Sequence, residues 1–430
     1  MLDLDLMKKL GAKFYGNINV DNIPSIISYD KQVIEGSMFV VLPGGDPFVN
    51  SAIKNGAGLL LSDHYLEGIE IPQIVVINLQ KFIISYAKEK LKEFQRQGKK
   101  FFAVMGSVSK TTIKHFLRSL LPGKVFSTSR SFNTGFSIAM EMLLLNNDFD
   151  YIVTEIGIDY PGDYEREYSW MNPDYIIYTP IGIEHLSKLG SEEVVWLTQM
   201  EFMNSTNLAF IHNNVPEKYF NLYKDKLNIY DFKIEYKTKE NNKKEVILTI
   251  NQNEEKIIIF ESNLKEYSIN GICTVLYVLT YLGISYKDTM HLLSPICLRG
   301  NQIITENHKI FDHCYNASPL SVINTINSIE EECDFILGEI GELGEQSNFF
   351  HRQIIDLLDD NKFVRYVYLF NCNYSGKKIQ SFNLQNLHKN IYIQGSKSNH
   401  LIAILLQIIA QDEEVNKKIY RSFAINVKHL

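Results

Sequence analysis

One stretch, residues 101–112, constrains the fold of this chain more than any other. The apolar run Phe-Phe-Ala-Val-Met is followed by Gly-Ser-Val-Ser and then by Lys110, Thr111 and Thr112. Residues 113–121, which come next, are compatible with a helix. A buried strand, a turn of small residues and a helix, in that order, predict an α/β unit in which the turn lies at the carboxyl end of the strand.

The composition of this turn is that of a phosphate-binding loop. Backbone N–H groups and the dipole at a helix N-terminus bind anions, and Lys110 and Thr111 are placed to reach outer phosphates and Mg²⁺. However, Val104 and Ser109 occupy the glycine positions of the general pattern Gly-x-x-x-x-Gly-Lys-[Ser/Thr]. A residue other than glycine in the left-handed region costs about 1–2 kcal/mol. From these residues alone, a phosphate loop and a polar turn without a ligand are equal alternatives.

Length and charge set the broad class. The chain has 430 residues, 45% of them hydrophobic and 22% charged, which predicts a globular protein of about three domains. The net charge of −7 argues against a nucleic-acid or anionic-membrane binder, because such binding needs an excess of Lys and Arg. The first nine residues carry two acids and no sustained apolar region, so we expect no secretory signal. We also expect no membrane span, because no run of about eighteen apolar residues occurs.

The five cysteines are odd in number and lack the short paired spacing of metal sites, which favours a reducing compartment. We therefore expect a cytoplasmic protein whose partners are small molecules.

Apolar strands alternate with helical segments along the chain, which predicts parallel sheets with crossover helices. Domains are predicted over residues 1–97, 98–298 and 299–430. The predicted strands are 37–43, 59–62, 73–77, 101–105, 151–155, 175–179, 208–212, 308–312, 334–338, 364–369 and 390–393. An antiparallel flap is predicted over 229–260, with an Asn-rich break at 241–242, and a helix over 268–282.

Polar side chains follow several of these strands, at the edge where parallel sheets bind ligands. Glu155 ends one strand and His185 follows another, so both are candidate metal ligands. A solvated Glu and a structural His are the alternatives. In the last domain, Asp312 and Asn316 are candidates to meet a nucleotide, or else turn formers and helix caps.

Two segments resemble the Mur ligases of peptidoglycan synthesis, and the resemblance runs from about residue 30 to 400. Residues 336–345, Ile-Leu-Gly-Glu-Ile-Gly-Glu-Leu-Gly-Glu, are similar to the Leu-Gly-Asp-Met-x-Glu-Leu-Gly of the branch that adds D-alanyl-D-alanine. Residues 312–319, Asp-His-Cys-Tyr-Asn-Ala-Ser-Pro, are similar to the family's Asp-Asp-x-Tyr-Asn-Ala-Asn-Pro. The resemblance implies an α/β, three-domain architecture: an N-terminal UDP-sugar domain, a central P-loop ATPase domain with a parallel sheet, and a Rossmann-like C-terminal domain that receives the amine.

The resemblance also implies the chemistry. The expected activity is that of an ATP-dependent, ADP-forming ligase that uses Mg²⁺ and joins a carboxylate to an amine through an acyl phosphate. The carboxylate belongs to a UDP-sugar peptide or an analogue, and the amine to an amino acid or dipeptide. Two substrate pairs stay open: D-alanyl-D-alanine with a UDP-muramoyl peptide, or a related amine with a different acid. A monomer is expected.

By position, the resemblance assigns catalytic roles to Lys110, Glu155 and His185. It assigns metal binding to Thr111, Glu155, His185 and Gln199. The nucleotide-binding residues it implies are Gly106, Ser107, Ser109, Lys110, Thr111, Thr112, Asn133, Asn270, Arg299, Asp312 and Asn316. The residues Gly395, Ser396 and Lys397 resemble the family's Lys-Gly-Ser-Arg element.

The chain departs from the family at several of these positions. Gln199 stands where the family carbamylates a lysine to help hold Mg²⁺. The other departures in the last two domains are Ser109, Tyr267, His313 and Gln394. In the first domain, Tyr-Asp-Lys at 29–31 and Asp-Pro-Phe at 46–48 replace the family's Asp-Ser-Arg and Asp-Gly-His, which favours a changed acceptor. A degenerate paralogue that acts as a binding partner is the main alternative, and a folate-adding relative is the third.

Overall fold

The computed structural model describes residues 2–20, 23–129, 132–230, 232–238, 244–250, 254–260, 266–287, 299–396 and 400–410. Its strands are β1 (Lys13–Tyr15), β2 (Ile26–Ile27), β3 (Ser37–Val40), β4 (Ala57–Ser62), β5 (Gln73–Val75), β6 (Lys100–Met105), β7 (Val125–Ser127), β8 (Tyr151–Glu155), β9 (Tyr175–Tyr178), β10 (Leu208–Ile211), β11 (Leu227–Ile229), β12 (Phe232–Thr238), β13 (Lys244–Ile250), β14 (Glu254–Phe260), β15 (Asn301–Ile304), β16 (Lys309–His313), β17 (Cys333–Gly338), β18 (Val364–Phe370) and β19 (Asn390–Gln394). Its α-helices are α1 (Leu4–Lys9), α2 (Val49–Lys54), α3 (Leu79–Arg96), α4 (Lys110–Leu120), α5 (Gly135–Glu141), α6 (Leu186–Leu189), α7 (Glu192–Met200), α8 (Glu217–Tyr223), α9 (Glu266–Tyr281), α10 (Pro319–Asn327), α11 (Ser347–Asp360) and α12 (Leu401–Ala410).

The chain divides into two compact units. The first comprises Met1–Ala103, Gly123–Gly157 and Gly162–Tyr175, and the second comprises Val104–Pro122, Ile158–Pro161 and Ile176–Leu430. The domain boundaries expected at residues 97 and 298 stay predictions.

The N-terminal sheet has the strand order β1-β5-β4-β3-β2. Its strands are parallel except β1, which pairs antiparallel with β5. The side chains of Phe39, Val49 and Leu60 pack in one buried cluster that includes residues of β3, β4 and α2. The α/β character predicted for the N-terminal residues is therefore confirmed.

The middle sheet has the order β11-β10-β9-β6-β8-β7. All five apolar residues of β6, from Phe101 to Met105, are buried. A strand with buried side chains on both faces is typical of a parallel sheet covered on both sides. The continuous apolar run that precedes the polar turn in the sequence is therefore a core strand, and the turn lies at its carboxyl end.

Strands β12, β13 and β14 form a separate antiparallel sheet, as predicted. The Asn-rich break expected at 241–242 lies outside the described residues. The C-terminal sheet has the order β15-β16-β19-β17-β18 and is parallel except for β15, which pairs antiparallel with β16.

Helices cover both faces of this last sheet. One buried cluster contains Val322 of α10 and Ile354 of α11, and the other contains Leu405 of α12. The Rossmann-like arrangement expected for the C-terminal residues is confirmed. No helix in the described parts of the chain is long and apolar enough to cross a membrane.

Candidate active site

The turn after β6 is built on a glycine that no other residue can replace without a clash. Gly106 has φ +108°, and a Cβ at this position would lie 2.5 Å from the carbonyl oxygen of Thr179. The next residue anchors the turn, since the Ser107 N–H donates to the carbonyl of Pro180 at 3.1 Å. The Ser107 hydroxyl also donates to the Gly182 carbonyl at 2.9 Å. The turn is thus held against the segment that follows β9.

The turn ends at Ser109, which has φ +62° and forms the N-cap of α4. The left-handed conformation expected at this glycine position is confirmed, and a serine adopts it here at a cost of about 1–2 kcal/mol. The Ser109 carbonyl accepts the first helical hydrogen bond, from Ile113 N–H at 2.9 Å. The N-terminus of α4, with Thr111 buried in its first turn, therefore begins directly at the turn, which is the geometry that binds an anion.

The side chain of Lys110 folds back over this turn. Its Nζ donates to the Gly106 carbonyl at 2.5 Å and lies 3.5 Å from Oε2 of Glu184. The ammonium group therefore lies at the mouth of the loop, where it can neutralise a phosphate.

A buried pair lies beside Lys110. Glu184 is 8% exposed and Gln199 is 2% exposed. The Gln199 Nε2 donates to Oε1 of Glu184 at 3.2 Å, while the Gln199 Oε1 has no hydrogen-bond partner. A buried oxygen without a partner costs about 1–3 kcal/mol. An amide oxygen is also a ligand that Mg²⁺ accepts, so this atom fits the predicted metal site.

His185 follows Glu184 and caps α6 with φ +49°. Its Nδ1 forms an ion pair with Glu342, and its Nε2 lies 3.6 Å from Oδ1 of Asp159. Lys188 also binds Asp159, with 2.6 Å between Nζ and Oδ2. Burial lowers the pKa of His185. The hydrogen bond to Glu342 and the charges of Glu184, Glu342 and Asp159 raise this pKa by more than burial lowers it, so the net shift is upward.

Glu342 belongs to the loop after β17, in the acidic, glycine-rich segment 338–345. Like Ser109 and His185, it is a non-glycine residue with positive φ, at +65°. The hydrogen bond from His185 lowers the pKa of this carboxyl group, although partial burial opposes the shift. Two hydrogen bonds hold the loop just before this residue: Ile340 N–H donates to Nε2 of the buried His351 at 3.0 Å, and Gly341 N–H donates to the Ser396 hydroxyl at 3.0 Å.

Two cavities in the second unit share the residues Val108, Ser109 and Asn324. The smaller, of about 160 Å³, is polar and is lined mainly by residues of the turn and of the C-terminal sheet. Its principal polar side chains are those of Ser107, Ser109, Thr112, Glu184, His185, Arg299, His313, Asn316, Glu342 and Gln394. Predicted site residues from distant parts of the sequence therefore meet in this cavity.

The larger cavity, of about 530 Å³, is lined by the predicted nucleotide residue Asn270. Its volume is that of a typical small-molecule site. His212, Asn214, Tyr230 and Phe232 also line it. None of these four was predicted as a site residue, although His212 directly follows β10 and Tyr230 directly follows β11. The rule that ligands bind beyond strand ends would have found both of them.

Other predicted residues have different surroundings. The guanidinium carbon of Arg299 lies 3.9 Å from the centre of the Tyr315 ring. Asp312 is fully buried, its Oδ1 accepts from Cys314 N–H at 3.1 Å, and it does not line either of the two cavities. Lys397 and the side chain of Tyr267 lie outside what the structure describes.

Glu155 and Asn133 belong to the first unit. Glu155 is the last residue of β8 and is 1% exposed. The carbonyl of Asn133 accepts from Gly157 N–H at 2.9 Å and from the Tyr168 hydroxyl at 2.8 Å. The metal and nucleotide roles of these two residues stay predictions.

The side chains of this site provide only some of the oxygen ligands that Mg²⁺ needs, and a bound substrate would provide the others. Among the described residues, no three His, Cys, Asp or Glu side chains are placed to hold a metal by themselves. Mg²⁺ is usually bound by one or two carboxylates together with substrate phosphates. A nucleotide in the loop would supply those phosphate oxygens.

Comparison with known proteins relates this site to one family. Residues 104–272 match the model of the Mur ligase middle domain. The UDP-N-acetylmuramoyl-tripeptide–D-alanyl-D-alanine ligase of Rickettsia prowazekii (strain Madrid E) is 25% identical over 384 residues, which cover 82% of this chain and 83% of that protein.

Two solved structures align with nearly the whole length of this chain. The MurF ligase from Thermotoga maritima in complex with ADP has a TM-score of 0.74 at 21% identity, and the alignment covers 92% of this chain and 98% of that one. MurF from Acinetobacter baumannii has a TM-score of 0.76 at 19% identity, covering 95% and 99%. The resemblance seen in the sequence is thereby confirmed: this chain is similar to the Mur ligases in sequence and in fold, and the residues that match the middle-domain model contain the phosphate-type turn.

Proposed function

We propose that this protein is an ATP-dependent, ADP-forming ligase that joins an amine to a carboxylate through an acyl phosphate. The observation that carries the proposal is the position of Lys110 at a glycine turn whose last residues, Val108 and Ser109, line both cavities. A nucleotide whose phosphates lie in the turn would have its nucleoside in the larger cavity. Its terminal phosphate would then face the smaller, polar cavity, where a second substrate can meet it.

The reaction consists of two displacements. An oxygen of the substrate carboxylate attacks the terminal phosphorus, and ADP leaves with the electrons of the broken P–O bond. The amine nitrogen then attacks the acyl carbon, and the tetrahedral intermediate expels phosphate. Catalysis of this kind depends on positioning and charge stabilisation.

The chain's own cations meet these needs. The Lys110 ammonium lies at the mouth of the turn, and the guanidinium of Arg299 lines the smaller cavity. In the second unit, Thr111, His185 and Gln199 are the residues that would hold Mg²⁺, which when bound neutralises phosphate charge. The free oxygen of Gln199 is the observation in this structure that supports such a role.

The names of the relatives specify D-alanyl-D-alanine and a UDP-N-acetylmuramoyl tripeptide, and we take these as the first substrate pair to test. We propose that the N-terminal domain receives the acid, the C-terminal domain the amine, and that a monomer carries out the reaction. Two first-domain carboxylates have internal partners: Asp30 accepts from the Ser51 hydroxyl at 2.5 Å, and Asp46 lies 3.0 Å from His64 Nε2. These contacts favour an acceptor that differs from that of the relatives.

Phosphate release tests the proposal. Purified protein is incubated with ATP, Mg²⁺ and pairs drawn from UDP-muramoyl peptides and amines, and we expect release only when both an acid and an amine are present. Lys110→Ala should abolish release, whereas Lys377→Ala, at a lysine whose side chain is 81% exposed, should not. Equal release by Lys110→Ala and the unmutated chain would overturn the assignment.

Gln199 favours a second candidate, a paralogue that binds nucleotide without turnover, since its amide supplies no charge to a metal. Binding of ADP without phosphate release for any substrate pair would support that candidate instead.

A further inference from the structure

Glu184 is a buried carboxylate to which neither the sequence motifs nor the predicted metal set assigned a role. It lines the smaller cavity and is 8% exposed. Three groups surround it: Lys110 Nζ at 3.5 Å, Gln199 Nε2 at 3.2 Å and His185 Nε2 at 3.9 Å. A carboxylate removed from water needs compensation by nearby positive charge.

Of these three groups, only Lys110 is a permanent cation that lies against Glu184. Gln199 is neutral, and the Nδ1 side of the His185 ring is already paired with Glu342. The proposed nucleotide site makes use of the same lysine. Two anions, the Glu184 carboxylate and the outer phosphates, therefore compete for one ammonium group.

When a nucleotide takes Lys110, Glu184 is left beside phosphate oxygens of the same sign. Like charges a few ångströms apart repel each other more strongly in a partly buried site than in bulk water. Such repulsion would weaken nucleotide binding unless another cation took the place of the lysine.

Gln199 provides an independent indication of where that cation binds. Its amide nitrogen Nε2 donates a hydrogen bond to Glu184. The oxygen of the same planar amide, Oε1, has no hydrogen-bond partner and is buried, since the residue is 2% exposed. A carboxylate oxygen and an amide oxygen are both hard ligands of the kind that Mg²⁺ and Mn²⁺ prefer.

We propose that Glu184 is a further metal-binding residue of this site: a divalent cation replaces Lys110 against the Glu184 carboxylate when nucleotide binds, with Gln199 Oε1 as its neutral ligand. Glu184 then supplies the negative charge that Gln199 lacks. The inference rests on the proposed function, because it requires a nucleotide in the loop. It implies that nucleotide and cation each strengthen the binding of the other.

Binding of Mn²⁺ to the full-length protein tests this directly, with free Mn²⁺ measured by electron paramagnetic resonance in the presence and absence of ADP. In the unmutated protein we expect ADP to tighten Mn²⁺ binding at least tenfold. In Glu184→Gln this gain should fall to less than threefold. ADP binding in EDTA should become several-fold tighter in the same variant, because Lys110 is released from its carboxylate partner.

Lys110→Ala provides a second test, whose result does not depend on whether the Glu184 variant folds. With the ammonium removed, Mn²⁺ should bind several-fold more tightly without ADP than it does to the unmutated protein. Glu193→Gln is the matched control, since this glutamate is 67% exposed and pairs with Lys218 outside the cavity. It should change none of these affinities.

Two results would overturn the inference: Mn²⁺ affinity in ADP that is unchanged by Glu184→Gln, or Mn²⁺ affinity without ADP that is unchanged by Lys110→Ala. These failures are distinct from failure of the proposed function. If the unmutated protein binds no ADP, the proposed function fails; if it binds ADP and Mn²⁺ but the variants behave like it, only the role of Glu184 is wrong.

Discussion

The imidazole of His185 and the carboxylate of Glu342 form an ion pair that joins the start of α6 to the loop after β17. A backbone bond supports it, since Ser187 N–H donates to the Glu342 carbonyl at 3.0 Å. Leu186, which directly follows His185, packs in the buried cluster of the C-terminal sheet. Two polar contacts and the packing of Leu186 thus hold the loop of the acidic motif against the start of α6.

This ion pair predicts a pH-dependent stability in metal-free protein. The pKa of His185 is raised above 6.5 and that of Glu342 is lowered below 4.5. The stabilisation should therefore be complete between about pH 4.5 and 6.5, and be lost as the pH rises through the raised pKa or falls through the lowered one. Because the Glu342 side chain is 49% exposed, we expect only about 0.5–1 kcal/mol.

The measurement is the difference in unfolding free energy between the unmutated protein and Glu342→Gln in EDTA, from acidic to alkaline pH. Glu345→Gln, in the same motif, is the control. A difference that stays constant from about pH 5.5 to 9 would contradict the role given to the pair.

Ser109→Gly should stabilise the protein. The serine is held at φ +62°, and glycine adopts this region without the Cβ penalty. The greater entropy of glycine in the unfolded chain offsets part of the gain, so we expect about 0.5–1 kcal/mol. Thermal unfolding measures it. Ser109→Ala keeps the Cβ and should give no gain; equal stabilisation by both variants would show that the hydroxyl, and not the backbone, is responsible.

Gly106→Ala should damage the loop itself. The added Cβ would lie 2.5 Å from the Thr179 carbonyl oxygen, and this backbone atom cannot easily move because Thr179 N–H bonds to Met105. We expect ADP affinity, measured by calorimetry, to fall at least tenfold. Gly162→Ala is a suitable comparison, since that glycine also has positive φ but a Cβ added to it would have no atom within 4 Å. A similar loss of affinity in both variants would rule out the clash as the cause.

His351→Leu should destabilise the C-terminal sheet region by about 1–3 kcal/mol, because Ile340 N–H loses its acceptor in a buried environment. His351→Gln retains an acceptor oxygen and should recover part of the loss. Denaturant unfolding of the two variants provides the comparison, and equal destabilisation by both would mean that the ring's packing on Tyr374, and not the hydrogen bond, is what matters.

Much of the fold was predictable because local patterns determine it. The strand predicted over 151–155 has those bounds in the structure, and the strand predicted over 101–105 lacks only Lys100 at its start. Short apolar runs between turn residues identify buried strands well. The left-handed conformation of Ser109 followed from its place in the loop pattern.

The contacts within the site were less predictable. Lys110, Glu184 and Gln199 are not neighbours in the sequence, and only the tertiary structure brings their side chains together. Lys110 Nζ lies 3.5 Å from Oε2 of Glu184, and Gln199 Nε2 lies 3.2 Å from Oε1 of the same carboxylate. Periodicity gives the face on which a residue lies, but not the partner that packing places opposite it. The ion pair of His185 with Glu342 escaped prediction for the same reason, although both residues stood in segments that the sequence analysis had selected.

The position of Ser109 between the two cavities has a consequence for inhibitor design. A compound that joins a nucleoside mimic to an acyl-phosphate mimic, one in each cavity, would contact this residue, because Ser109 lines both cavities. The hydroxymethyl group of Ser109 occupies space that a glycine at this position leaves open. A bridging compound shaped around that group, with an acceptor for its hydroxyl, would therefore discriminate this protein from Mur ligases that have glycine there.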